Sequence, residues 1–127
     1  MDPTRYTCPC CGYGTLGAPP GSYEVCAICF WEDDPVQLLD PWFPGGANRP
    51  NLVEAQAAYA RCGAMDPRFL QHVRAALPGD ERDPAWRCVT EDDRPFVRKP
   101  RDLSLDEERD LTVWYYWRRP QGSRYKM

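Results

Sequence analysis

The sequence predicts a small α+β fold: short β-hairpins carrying two metal knuckles, packed with two to four helices and long irregular connections. Three observations predict it. Two Cys-x-x-Cys pairs, Cys8 with Cys11 and Cys26 with Cys29, stand fourteen residues apart near the start of the chain. Leu, Ile, Val and Phe make up only about a sixth of the chain, so five Trp and seven Tyr must supply much of the core, and a staple is needed. Fourteen Pro argue against long regular elements.

The cysteine spacing carries the chemistry. A Cys-x-x-Cys turn can aim two thiolates at one point, and two facing turns make the tetrahedral sulfur site that zinc prefers. The gap between the pairs is one residue short of the usual window but long enough for a hairpin. Gly12 can take the positive φ of a tight knuckle, and Pro9 stiffens the same turn. One Zn2+ per chain is expected on Cys8, Cys11, Cys26 and Cys29. The competing reading is two disulfides or unconnected buried thiols. Cys10 lies between two ligands and reads as a small residue in a tight turn; a redox thiol is the alternative. As a ligand in place of Cys11 it would close a poorer turn, with Pro9 alone between the sulfurs. Met1 to Cys8 hold no apolar run, and no stretch approaches the length of a membrane helix. A cytoplasmic protein with no membrane partner is expected, and there paired Cys motifs favour zinc over disulfides.

Taken in order, Arg5-Tyr6-Thr7 predicts a strand into the first knuckle and Gly14-Thr15-Leu16 a strand out of it. Ala18 to Ser22 is a turn cluster. Tyr23-Glu24-Val25 and Phe30-Trp31 predict a second pair of strands. Together this is the order of a zinc ribbon. Asp34 and Pro35 predict an N-cap and first residue of a short helix through Leu39. The acids Glu32, Asp33 and Asp34 are then either a cap with a solvated charged face or a surface for a cation or basic partner. Asp40 to Asn48 is a loop, and its adjacent Trp42 and Phe43 either fold back as a lid or stand out as a partner anchor. Asn51-x-x-Glu54 predicts a capping box, and Leu52, Ala55, Tyr59 and Cys62 give the helix an apolar stripe ending at Gly63. Asp66-Pro67 predicts a second helix with Phe69, Leu70, Val73 and Leu77 inward, stopped at Pro78-Gly79; His72 lies beside that set. Residues 79–104 read as irregular chain pinned by Trp86 and Phe96. Ser104-x-x-Glu107 predicts a last helix to about Arg118. Residues 1–64 are expected to form the ribbon with its helix. Residues 65–127 are read as a helical and irregular extension of the same domain.

Several of these stretches carry a family likeness. Cys8-Pro9-Cys10-Cys11-Gly12-Tyr13-Gly14, Pro19 to Glu24, and Cys26-x-x-Cys29 running on to Gln37 resemble the bacterial cysteine-rich CPCC family. Gly45 to Asn48 and Glu54 to Gln56 fit its pattern too. The likeness is dense to about Ala64 and weaker to Arg87. It implies a zinc-ribbon-like protein and no settled activity.

Charge sorts the function classes. Residues 1–64 carry seven acids against three Arg, net −4. A ribbon of that sign starts from repulsion with phosphate, so nucleic-acid binding is the second reading, kept by the basic C-terminal residues. Four cysteines close a zinc shell, whereas a catalytic zinc keeps an open position, so an enzyme or enzyme accessory is the third. The first reading is a non-catalytic protein-interaction module, an immunity protein or adaptor for a basic protein partner, using Glu32, Asp33, Asp34, Trp42 and Phe43.

Overall fold

The computed structural model describes residues 5–99 and 111–118. The α+β ribbon is present. Strands β1 (Tyr6–Thr7) and β2 (Gly14–Leu16) pair antiparallel around the first knuckle. Tyr6 faces Leu16 but Thr7 faces Gly14, so Thr15 is an extra residue in β2. Such a bulge re-aims the side chain it carries.

The second expected strand pair is reduced to a single bridge between Val25 and Glu32. The backbones still meet, since Cys26 N donates to Trp31 O and Asp33 N to Glu24 O, both at 2.9 Å. Tyr23 and Phe30 interrupt the extended geometry with φ of 63° and 73°, a left-handed conformation that no strand continues through.

Helix α1 (Pro35–Leu39) starts as expected, with the Asp34 carboxylate accepting from Val36 N at 2.8 Å. Helix α2 (Leu52–Cys62) carries the full capping box between Asn51 and Glu54 and ends on Gly63 at φ 90°. Its Leu52 and Ala55 are completely buried, and Tyr59 lies partly buried against the core. Cys62 is half-buried and points its thiol at Ala64 O.

Two later helices differ from expectation. After Asp66, a 3-10 helix runs only from Pro67 to His72, with none of its residues buried, and Val73 is extended. Arg74 N goes to Ala27 O and Leu77 N to the Asp80 carboxylate, so the backbone donors a longer helix needs are taken elsewhere. Leu70 and Leu77 are therefore exposed rather than inward. At the other end, the Ser104–Glu107 box lies outside the described residues. Leu111–Trp114 and Tyr116–Arg118 are separate 3-10 turns broken at Tyr115. Tyr115, Tyr116 and Trp117 are all buried, and three consecutive inward side chains exceed what one helical stripe can bury.

The stretch of residues 73–99 is irregular apart from a bridge between Arg82 and Tyr13 and a 3-10 turn at Glu91–Phe96. It is anchored on the ribbon through Trp86, whose ring lies over Gly12. The core therefore gathers around the cysteines: Leu16, Ile28, Trp31, Leu38 and Tyr116 are buried in one cluster with them. No helix among the described residues is long and apolar enough to cross a membrane.

Candidate metal centre

The two knuckles are built alike. In the first, Gly12 N donates to Cys8 O and Cys8 N to Tyr13 O, at 2.8 and 2.9 Å. In the second, Phe30 N donates to Cys26 O and Cys26 N to Trp31 O, at the same two distances. Each turn needs a left-handed residue after its second cysteine. Gly12 fills that place at φ 84° without penalty, and Phe30 fills it at 73° with one. The Phe30 ring is held in place by Phe69, 4.7 Å away, and His72, stacked at 5.3 Å. A 3-10 helix eclipses residues three apart, which is how Phe69 and His72 reach the same ring.

Facing each other, the knuckles bring Cys8, Cys11, Cys26 and Cys29 together. Their sulfurs all lie within 4.8 Å of one another, and all four residues are completely buried. The Cys8–Cys29 and Cys11–Cys26 sulfurs are 3.6 and 3.7 Å apart. Zinc–sulfur bonds of about 2.3 Å in a tetrahedron place ligand sulfurs about 3.8 Å apart, so the donor set fits a four-thiolate metal ion. These separations are far longer than the about 2.05 Å of a disulfide. Cys10 is buried yet stands outside the four-sulfur group.

The surroundings of the sulfurs are unequal. Burial pushes the Cys8 and Cys29 thiols up. Cys26 is held far below the ordinary thiol range, by Cys11 first, then by Cys29 and Cys8. Thr15 adds to this: the β2 bulge turns its hydroxyl to donate to Cys26 Sγ at 3.0 Å. Ile28 N points at the same sulfur at 3.4 Å. Buried thiols of opposed tendency need a cation to ionise together. Neither Thr15 nor the Ile28 amide was among the residues singled out in the sequence, because nothing in the residue order marks a bulge.

A strap of later residues encloses the first knuckle. Arg82 Nε donates to Cys11 O, Asp83 N to Gly12 O, and Trp86 Nε1 to Pro9 O, between 2.8 and 2.9 Å. Gln56 of α2 also reaches Pro9 O, at 3.0 Å, and the same amide bonds Tyr116 and Val89. The second knuckle is held by Met65 N on Cys29 O.

The residues expected to face a partner are placed differently. Asp33 and Asp34 are buried. Asp33 accepts from Gly21 N, Ser22 N and the Ser22 hydroxyl, and burial pushes its carboxyl up to about 6. Asp34 caps α1 with one oxygen and accepts from Ala47 N with the other. These two acids fix loops from inside, so Asp33 and Asp34 form neither a solvated charged face nor a steering surface, while Glu32 is half-exposed. Trp42 is half-buried under the Arg94 guanidinium, 4.2 Å from its ring, while Phe43 is 40% exposed. The loop holding both is set by Gln37, completely buried, whose amide bonds Phe43 O, Asn48 O and Pro50 O.

A sequence model of the family described as cysteine-rich CPCC matches residues 6–80. The search among curated proteins finds no match.

Proposed function

This chain belongs to the cysteine-rich CPCC family, and we propose that its four-cysteine centre holds one structural zinc ion. The complete burial of all four sulfurs carries this reading. Zinc would supply the positive charge that lets four buried thiols ionise, and would cross-link two knuckles that no disulfide joins. Four protein ligands fill the tetrahedral shell and leave no position for water or substrate, which argues for scaffold rather than catalyst. Elemental analysis of the purified protein should give one zinc per chain. Folded protein without zinc would overturn the reading.

A scaffold acts through its surface, and the working role proposed for it is binding a basic protein. Asp33 and Asp34 are buried, and the surface that supports this role lies on the outer side of the second knuckle. Tyr23 and Val25 are 50% and 46% exposed, side by side with Glu24 and Glu32. Apolar side chains flanked by acids suit anchoring and steering of a positively charged partner. Affinity capture of the partner with the wild-type protein and with Tyr23→Ser tests this. Equal capture by both would remove the patch from the proposal. Tight nucleic-acid binding that weakens steeply with salt would replace it with the nucleic-acid reading.

A further inference from the structure

A polar cavity of about 860 Å³ opens beside the metal centre, lined by Arg5, Arg74, Arg82 and Arg118 among others. The four arginines come from four separate parts of the chain. We propose that this cavity is a binding site for a small phosphate-bearing anion.

Several of the charged groups in the cavity are already engaged by the fold. Three carboxylates line it: Asp80, Glu81 and Asp83. Both Asp80 oxygens are taken by the Arg74 guanidinium, at 2.6 and 3.1 Å, and one also accepts from Leu77 N. Asp83 accepts from Ala85 N with one oxygen and from Thr7 and Trp117 with the other. Those two acids are thus used within the fold, and Glu81 alone is left exposed.

The remaining arginines keep donors to spare. Arg82 spends only its Nε, on Cys11 O, and its guanidinium is held near the Tyr13 and Trp86 rings, 5.1 and 4.9 Å from their centroids. Its terminal nitrogens are therefore set in place before any ligand arrives. Arg118 lies over the Tyr115 ring at 5.4 Å, and its guanidinium has no hydrogen-bond or ion-pair partner within 4 Å among the described residues. Arg5 is exposed and has no hydrogen-bond or ion-pair partner among the described residues. Guanidinium forks from several directions match the several oxygens of a phosphate better than the two of a carboxylate. Fixing them by ring contacts lowers the entropy cost of binding. The volume falls within the range of small-molecule sites. No aromatic ring lines the cavity among the described residues, so there is no platform on which a base could stack.

The arginines have a competing role, which is to balance the charge of Asp80 and Asp83 and of the four-cysteine centre behind Thr15. Arginines serving only that role would take no anion from solution. The test is a titration of the zinc-loaded full chain with inorganic phosphate, then with glycerol phosphate, at constant ionic strength, followed by amide chemical shifts. Saturable shifts at Gly14, Thr15 and residues 79–83 are expected. Arg5→Gln and Arg118→Gln should each weaken binding at least about tenfold. Arg94→Gln, whose guanidinium sits over Trp42 away from the cavity, should leave affinity unchanged. Tighter binding of the ester would identify the source as a phosphomonoester rather than free phosphate. The proposal is overturned by the absence of saturation at about 10 mM of either, a concentration well above typical small-molecule constants. Equal shifts from chloride would overturn it too, as would full affinity in both cavity variants.

Discussion

At the scale of the residue, the first knuckle turns on Gly12. A Cβ added there would stand 2.7 Å from the Trp86 ring, on a backbone at φ 84°. Left-handed strain and the clash act together, so Gly12→Ala should cost about 2–4 kcal/mol. Denaturant unfolding of the zinc-loaded protein measures this, and a loss below about 0.5 kcal/mol would show that Trp86 moves aside freely. Asp33 offers a second residue-scale expectation, one that depends on pH. Its carboxyl is raised from 3.8 to about 6 by burial, against the pull of the Gly21 and Ser22 donors. An acid raised in the folded state keeps its proton there after the unfolded chain has lost it. Its contribution therefore falls as pH rises from about 4 to 6 and stays low above. Asp33→Asn keeps an oxygen for Gly21 and Ser22 and removes that penalty. It should be more stable than wild type by about 3 kcal/mol at pH 7, an upper figure, and the difference should vanish near pH 4. Unfolding both proteins side by side cancels the separate effect of acid on the thiolates. A gap that does not change with pH would place the Asp33 carboxyl in its ordinary range.

At the scale of the element, the legible parts are those whose ends are marked by local chemistry. Asp34-Pro35 and the Asn51–Glu54 box fix where α1 and α2 begin, and Gly63 where α2 stops, because caps act within one turn. The paired cysteines fix the four-sulfur cluster because two intervening residues close each turn whatever surrounds it. Illegible parts are those decided by distant partners. The helix expected after Pro67 stops at His72 because its ring and that of Phe69 are drawn to Phe30, and because Ala27 takes the Arg74 amide. The burial of Asp33 and Asp34 depends on loops at Gly21 and Ala47, and no property of three adjacent acids announces that. Gln56 shows the same limit on α2. A polar residue beside the apolar stripe, it is buried and ties Pro9, Val89 and Tyr116 to the helix. Gln56→Leu fills similar space but leaves buried donors and acceptors unmet. It should cost about 2–4 kcal/mol, more than Tyr59→Ala at about 1–3, since the Tyr59 side chain is only partly buried. Equal stability of Gln56→Leu and wild type would mean that water serves those groups equally well.

At the scale of the whole molecule, the four-cysteine centre is held by more chain than its own knuckles. Cys11→Ser removes a ligand and should abolish stoichiometric zinc and unfold the ribbon, whereas Cys10→Ser should keep one zinc per chain, because Cys10 lies outside the four-sulfur group. Loss of zinc from Cys10→Ser would reassign the ligand. The less obvious dependence is on residues beyond the family match, which ends at residue 80. Every hydrogen bond that the strap makes to the first knuckle comes from later residues: Glu81 O receives Gly14 N, while Arg82, Asp83 and Trp86 donate to Cys11, Gly12 and Pro9. Tyr115, Tyr116 and Trp117 then close the same side of the core. By contrast, the second knuckle takes its supports, Met65 and Arg74, from within the matched region. A chain cut after Asp80 keeps all four ligands and both knuckle turns but exposes the backbone of the first. It should still bind zinc, because the sulfurs are local, yet release it to a chelator faster than the full chain, because the first knuckle opens without its cover. Cys8 and Cys11 should then show earlier alkylation than Cys26 and Cys29 during chelation. Equal release rates, or loss of protection beginning at Cys26 and Cys29, would show that the strap does not hold the site shut.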